Sequence, residues 1–190
     1  MKLRQIQIQL LNLPIAVLLM LGVVLLWPIM FLIYILSGED SVFFKHERVG
    51  LNNKIISVYK FRTILTKSEG KTPILALSKL LFKFIRSVHL DEFPQCINII
   101  RGDMNVVGPR PYVLEECRVS ELNIPDFRYR HSIKPGITGY AQVRYDHNNT
   151  GDSSEVKFLL DRYYIEHQSL GLDVLILTKT IIQIIKLKGV

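Results

Sequence analysis

Apolar and polar positions along this chain follow three different patterns, and each predicts a different kind of element. From Gln5 to Gly38 no charged residue occurs, and Leu13 to Leu36 is almost wholly apolar, a run long enough for a bilayer segment. From Val42 to Thr63, apolar and β-branched residues flank Gly50-Leu51-Asn52-Asn53, which carries turn chemistry, so this stretch reads as a short hairpin. Beyond it, apolar residues recur at helical spacing. They predict a helix over Thr72 to Arg86, with Leu77, Leu80, Leu81, Phe84 and Ile85 as one stripe and Lys79, Lys83 and Arg86 on another side. Such a helix also suits a membrane surface, with its lysines at headgroup level. Further helices are expected over Tyr112 to Leu122, Glu155 to His167 and Leu172 to Leu187, with Asn148 to Ser154 as a mobile loop. Asp173 and Lys179 interrupt the last helix, which favours an interfacial or core position over a span. The fold class expected is α+β, mostly helical: a membrane-associated helix over 1–38 joined to one compact domain over 39–190.

Pro28 governs how the first segment can sit in lipid. An interior proline removes one backbone hydrogen bond and crowds the preceding turn, so a kink is expected near Trp27-Pro28, with a long arm from about Leu10 to Leu26 and a short one from Ile29 to Leu36. Lys2 and Arg4 precede the run, and Lys45 and Arg48 follow it. Positive charge at both ends favours a re-entrant hairpin with both ends on the cytoplasmic face; a tilted, kinked single span also satisfies the pattern. A secretory signal does not, because the run is too long and lacks a small-residue cleavage pattern.

Charge and composition narrow the function. The net charge of +7 suits attraction to anionic lipid headgroups. No helix-turn-helix, zinc-finger or RNA-platform motif accompanies it, so nucleic acid is not expected as a partner. Cys96 and Cys117 form no CxxC pair and imply no disulfide framework, as in a reducing compartment. The five histidines show no HxxxH or HExxH spacing, which speaks against a histidine-built transition-metal site.

Candidate chemistry is concentrated between Ser87 and Pro111. Asp91 and Glu92 sit where a helix is expected to begin, since Pro94 is tolerated in a first turn and Cys96, Ile97, Ile99 and Ile100 follow before Gly102 stops the pattern. An aspartate there serves as a cap, or as an ionised group that helps hold a phosphate or a metal. Arg86 precedes the pair, and Arg101 and Arg110 follow it. Arg110 lies between Pro109 and Pro111, so its backbone is stiffened on both sides and its fork suits phosphate oxygens. On the second hairpin strand, alternation puts Lys60 and Arg62 on one face and Tyr59 and Phe61 on the other. The stretch Lys134-Pro135-Gly136-Ile137-Thr138-Gly139 has the composition of a loop whose amides and hydroxyl could hold a phosphate, although many tight turns share it.

Taken in order, these blocks resemble one family, the bacterial sugar transferases, which are monotopic polyprenyl-phosphate phosphoglycosyl transferases. The carriers are Phe43 to Gly50, Tyr59 to Thr63, Ser87 to Pro111, Lys134 to Val143, and Asp161-Arg162-Tyr163-Tyr164 followed by Leu170 to Thr178, within roughly residues 15 to 188. The resemblance implies a re-entrant helix broken at Pro28 and a cytosol-facing active site on the bacterial inner membrane, with bound Mg²⁺. It further implies transfer of a sugar 1-phosphate from a UDP-sugar to a polyprenyl (undecaprenyl) phosphate with release of UMP, the first step of polysaccharide or glycoconjugate synthesis. Asp91 maps onto the nucleophile that forms a phosphosugar-aspartyl intermediate and onto the metal ligand, with Glu92 as its partner. Lys60, Arg62, Arg86 and Arg110 map onto basic positions that contact phosphate or uridine diphosphate, and Lys134 and Thr138 belong to the phosphate-holding loop. Membrane lipids, a homo-oligomer and downstream glycosyltransferases are the further partners it admits. The chain departs from the pattern at Trp27, where serine is common, and at Arg144-Tyr145-Asp146-His147. The second departure leaves open whether Asp161 is partnered by Arg144. A non-catalytic membrane-surface scaffold and a lipid or nucleotide diphosphate hydrolase are the alternatives; an intact Asp91-Glu92 pair argues against the first.

Overall fold

The computed structural model describes residues 2–37, 41–64, 73–145 and 153–186. The long apolar run forms a single helix, α1 (Lys2–Ser37), with Pro14 and Pro28 inside it. Its burial is one-sided. Ala16, Val23, Met30 and Tyr34 recur on one face and are buried, while Leu18, Leu25 and Leu32 recur on another and are more than half exposed. The buried face rests on the remainder of the chain along nearly the whole helix. Arg4 donates to Asp173 at 2.7 Å. Asn12 accepts from the Val106 amide at 2.9 Å and donates to Asn105 at 3.0 Å. Gly22 leaves room for the Phe93 ring, which lies 2.3 Å from where a Cβ would stand, and Tyr34 meets Phe82 with ring centroids 5.9 Å apart. At about 1.5 Å per residue, these contacts follow roughly 45 Å of helix.

The hairpin has its expected form. β1 (Phe43–Val49) pairs antiparallel with β2 (Ile55–Phe61), in a register running from Phe43 opposite Phe61 to Val49 opposite Ile55. Its turn is closed by the Gly50 amide on the Lys54 carbonyl at 2.8 Å, with Asn52 and Asn53 in the left-handed region that asparagine tolerates. The next helix, α2 (Pro73–Ser87), begins with a proline in its first turn, and Thr72 lies outside the described residues. Only part of its apolar stripe is a core face, where Leu81 packs beside Ile85. Phe82 and Ile85 are buried, whereas Leu77, Leu80 and Phe84 are exposed by 68%, 66% and 53%, so the helix is apolar on two sides.

The 3₁₀ turn Leu90–Gln95 leads into α3 (Cys96–Ile100), and Gly102 at φ +78° ends it, as its sequence position predicts. β3 (Asn105–Val107) follows, then α4 (Leu114–Asn123), a 3₁₀ turn Phe127–Ser132 and β4 (Gly136–Thr138). β3 and β4 pair in parallel, Asn105 opposite Gly136 and Val107 opposite Thr138. This corrects the expected open loop at Lys134–Gly139. The amide of Gly136 is bonded to the Pro109 carbonyl, and the Thr138 carbonyl accepts from Gly108. Glycine is needed at 108 and 136 because two backbones touch: a Cβ on Gly108 would lie 2.6 Å from the Lys134 carbonyl oxygen and 2.8 Å from the Gly136 nitrogen.

The chain closes with α5 (Tyr140–Arg144), α6 (Ser154–Glu166) and α7 (Leu170–Ile185). Ser153 and Ser169 cap the last two by accepting from Val156 and Leu172. The expected loop at Asn148–Ser154 lies outside the described residues up to position 152, as do Asp146 and His147. The main core gathers Tyr34, Phe61, Phe82, Ile85, Cys96, Ile99, Val106 and Ile176, so α1, α2, α3, α7, the hairpin and β3 share it. A second cluster of Val49, Cys117, Ile124, Phe127 and Phe158 joins the turn end of the hairpin to α4 and α6.

Candidate functional site

The Leu90–Gln95 turn brings both carboxylates inward: Asp91 is 9% exposed and Glu92 7%. His89, in the left-handed region at φ +56°, redirects the chain as it leaves α2. A buried carboxylate needs partners, and Glu92 has two on one oxygen. Lys60 donates to its Oε1 at 2.6 Å and Arg110 at 3.3 Å. Burial alone would raise the pKa of Glu92, but Arg110 and Lys60 outweigh it and bring it down to about 2. Asp91 is different. Its carboxylate has no side-chain partner among the described residues, and burial, followed by the neighbouring Glu92 charge, pushes its pKa up. The dipole-stabilised carboxylate expected at a helix start is thereby corrected, since Asp91 lies within a short buried 3₁₀ turn.

Lys60 reaches Glu92 because β2 is fastened to α3. Asn98, fully buried, accepts from the Tyr59 amide at 3.2 Å and donates to the Ser57 carbonyl at 2.7 Å. Its own carbonyl accepts from Asp103 and Met104, so one side chain and one carbonyl set strand and helix at a fixed spacing. Arg62 lies one residue beyond Phe61, its guanidinium 5.7 Å from the Phe44 ring, and its buried Nε has no hydrogen-bond partner. Arg86, at the end of α2, donates to the Thr63 carbonyl at 2.5 Å and ties the exit of β2 to the entry of the carboxylate turn.

Two expected residues do not join this group. Lys134 places its ammonium beside Gly102, 3.4 Å from where a Cβ would stand there, after α3 has ended. Thr138 shares its hydroxyl with Thr180 of α7 at 2.6 Å. Among the described residues, the cations paired with these carboxylates are Lys60 and Arg110, while Arg86 is bonded to Thr63 and Arg62 lies by Phe44.

Arg110 is held from behind by a residue whose role sequence reasoning missed. Arg130, 2% exposed, donates through Nη2 to the Arg110 carbonyl at 2.9 Å and to Asp161 at 2.6 Å. Its guanidinium lies 3.7 Å from the centroid of Tyr112, in stacking contact, and 5.0 Å from that of Phe127. The partner of Asp161 is thus Arg130, while Arg144 lies over Tyr140 at 5.6 Å. The signal in the sequence was the basic stretch Arg128, Arg130, His131, but nothing local distinguishes its buried member from its exposed one. Chemically, the group offers a buried carboxylate without a side-chain partner, a second carboxylate kept ionised, and two cations directed to one point. That combination suits a reaction at a polyanionic centre.

Comparison with known proteins identifies the family. The family model described as bacterial sugar transferase matches residues 4–187. A UDP-N-acetylgalactosamine-undecaprenyl-phosphate N-acetylgalactosaminephosphotransferase of Aeromonas hydrophila is 38% identical over 151 residues, covering 77% of this chain and 36% of its own length. An uncharacterized sugar transferase, EpsL, of Bacillus subtilis (strain 168) is 36% identical over 154 residues, covering 80% and 73%. A UDP-glucose:undecaprenyl-phosphate glucose-1-phosphate transferase of Xanthomonas campestris pv. campestris is 33% identical over 171 residues, covering 84% and 35%. The chain thus spans about a third of the length of two of these relatives.

Proposed function

The chain belongs to the bacterial sugar transferase family, and on that premise we propose that it transfers a sugar 1-phosphate from a UDP-sugar to undecaprenyl phosphate at a membrane surface. The observation that carries this reading is the convergence of Lys60 and Arg110 on Glu92, next to a buried Asp91 with no side-chain partner among the described residues. Relatives whose names specify UDP-sugar:undecaprenyl-phosphate transfer support the choice of donor and acceptor.

An oxygen of ionised Asp91 attacks the sugar-bearing phosphorus. The bond from that phosphorus to the bridging oxygen breaks, and UMP leaves with the electron pair. The phosphate oxygen of the lipid then attacks the same phosphorus, the phosphorus–Asp91 bond breaks, and the carboxylate is restored. Such a displacement depends on an in-line nucleophile and on cations around the phosphoryl oxygens. Lys60 and Arg110 supply the cations. Glu92, ionised throughout the neutral range, keeps both directed to one place. Arg62, one residue beyond β2, is a further cation for the diphosphate, and Arg86 positions β2 through Thr63. The donor set fits Mg²⁺: Asp91 offers hard oxygen ligands, whereas Glu92 is committed to its two cations. When bound there, Mg²⁺ would neutralise diphosphate charge and favour the ionised form of Asp91.

The outward faces of α1 and α2 support a seat in lipid. Leu18, Leu25 and Leu32 on one and Leu77, Leu80 and Phe84 on the other are apolar and exposed, which is costly in water and favourable in hydrocarbon. A re-entrant α1, bent where Pro28 removes a hydrogen bond, fits its contacts better than a perpendicular span. A span over Leu13 to Leu36 would carry the Phe93 and Phe82 contacts of Gly22 and Tyr34, and with them the turn that holds Asp91 and Glu92, into the bilayer core. Basic residues at both outer ends favour the cytoplasmic face of the inner membrane.

The test is a UMP assay on purified protein with Mg²⁺ and a panel of UDP-sugars. UMP is expected in stoichiometric amount before lipid acceptor is added and catalytically afterwards, with a lipid-linked sugar formed. Asp91→Asn is expected to abolish both phases while the protein remains folded and membrane-bound. Free sugar phosphate without a lipid product would identify a hydrolase, and no UMP from any donor would refute the reading.

A further inference from the structure

Cys117, Glu121 and His131 come together at one point although their spacing matches no metal motif. Cys117 and Glu121 are four residues apart on one face of α4, and His131 enters from the Phe127–Ser132 turn. Their Sγ, carboxylate oxygen and ring nitrogen all lie within 4.8 Å of one another. Cys117 Sγ is 3.6 Å from Glu121 Oε1 and 4.0 Å from His131 Nε2. We propose that these three side chains bind one transition-metal dication of the zinc class, in a site that shares no residue with the Asp91-Glu92 pair.

The second contact of each nitrogen and oxygen ligand supports the assignment. Asn53 Oδ1 can only accept, so the proton of His131 sits on Nδ1, bonded to it at 2.7 Å, and the lone pair on Nε2 faces the thiol. Glu121 is divided in the same way. Arg128 holds Oε2 at 2.9 Å and leaves Oε1 towards Cys117. Outer partners that fix the non-ligating atom of each ligand are the arrangement found around protein-bound metals. Tetrahedral bonds of about 2.3 Å to sulfur and about 2.0 Å to nitrogen or oxygen put neighbouring ligand atoms roughly 3.3–3.6 Å apart, so the thiol already stands close to that distance from Glu121, while the His131 ring must close by about half an ångström on the thiol and by up to about 1.5 Å on the carboxylate, a side-chain movement. Binding breaks the Cys117 S–H bond, forms the sulfur–metal bond and releases the proton to solvent. Water completes the fourth position. Cys117 and His131 are buried, while Glu121 borders an open cleft with Ile124, Phe127 and Arg128, which gives the ion a path in.

The site has a structural consequence. Asn53 belongs to the hairpin turn, and His131 follows Arg130, which holds the Arg110 carbonyl. A bound ion would fasten the hairpin that carries Lys60 to the turn that positions Arg110.

The experiment uses the full chain in detergent, reduced and with Mg²⁺ present, titrated with Co²⁺. A thiolate-to-cobalt charge-transfer band in the near ultraviolet is expected, together with tetrahedral visible bands, displaced by Zn²⁺ at a one-to-one ratio. Cys96→Ser should keep the band and Cys117→Ser should lose it. Asn53→Ala should weaken Zn²⁺ binding roughly 10–100-fold, as loss of an outer partner does. No such band in the wild-type protein, a band that survives Cys117→Ser, or unchanged Zn²⁺ affinity in His131→Asn would overturn the proposal. The wild-type titration decides even if a variant fails to fold.

Discussion

Arg130→Met should be among the most damaging single substitutions in this protein, and the structure says why. Arg130 and Asp161 are each 2% exposed and meet at 2.6 Å, so neither charge has water to fall back on. Removing one member of such a pair leaves the other buried and uncompensated, at a cost of about 3–5 kcal/mol. A typical domain has about 5–15 kcal/mol in total, so the loss takes a large share of it. Asp161→Leu should cost a similar amount, since it strands the guanidinium between Tyr112 and Phe127. The double variant Arg130→Met, Asp161→Leu strands no charge, so its cost should fall short of the sum by about 2 kcal/mol or more, within the range seen for contacting residues. Denaturant unfolding of all four proteins in one detergent measures this coupling. Additivity within about 0.5 kcal/mol would refute the claim that the pair acts as a buried unit. The double variant should still transfer poorly even where it folds, because the Arg110 carbonyl has lost its donor.

Three other substitutions probe different parts of the argument. Glu92, drawn down to about 2, adds stability that is complete above about pH 4.5 and is lost as pH falls through about 2, so this contribution is flat from pH 5 to 8. Lys60→Met removes the closer cation and moves Glu92 upward towards its unfolded value, so the variant should be less stable at neutral pH and should lose less stability than the wild type as pH falls below about 4.5; identical acid profiles would contradict the pairing. Gly108→Ala drives a methyl into the Lys134 carbonyl and the Gly136 amide, and should cost about 1–3 kcal/mol in denaturant unfolding by forcing β3 and β4 apart; unchanged stability would argue against the close approach. Phe84→Asp, on the outward face of α2, should lower partitioning into anionic vesicles by roughly tenfold or more with little change in fold stability, and equal vesicle binding would show that this face does not enter lipid.

Parts of the site were legible because they rest on short-range rules. A run without charge, a turn of Gly-Leu-Asn-Asn between β-branched stretches, and Gly102 after an apolar periodicity each prescribe local backbone, and α1, the hairpin and the end of α3 follow them. Asp91 and Glu92 could be singled out by chemistry alone, since adjacent carboxylates beside a proline-stiffened arginine are an uncommon combination. Their difference could not be. It arises because Glu92 meets cations from residues 60 and 110, while Asp91 receives burial and a neighbouring negative charge.

By itself, then, the sequence determined the long helices, the hairpin and the ionisable residues, though not β3 and β4, because propensity, periodicity and turn chemistry act over a few residues. Only the tertiary structure decided pairing. The Gly136–Thr138 stretch paired with β3, and the Pro109 carbonyl took the Gly136 amide; the Leu77, Leu80 and Phe84 stripe faced outward, and Arg130 was buried against Asp161 while Arg128 stayed at the surface. Each outcome depends on which surfaces meet when distant segments share one core. Burial then multiplies the strength of every charge that the packing encloses.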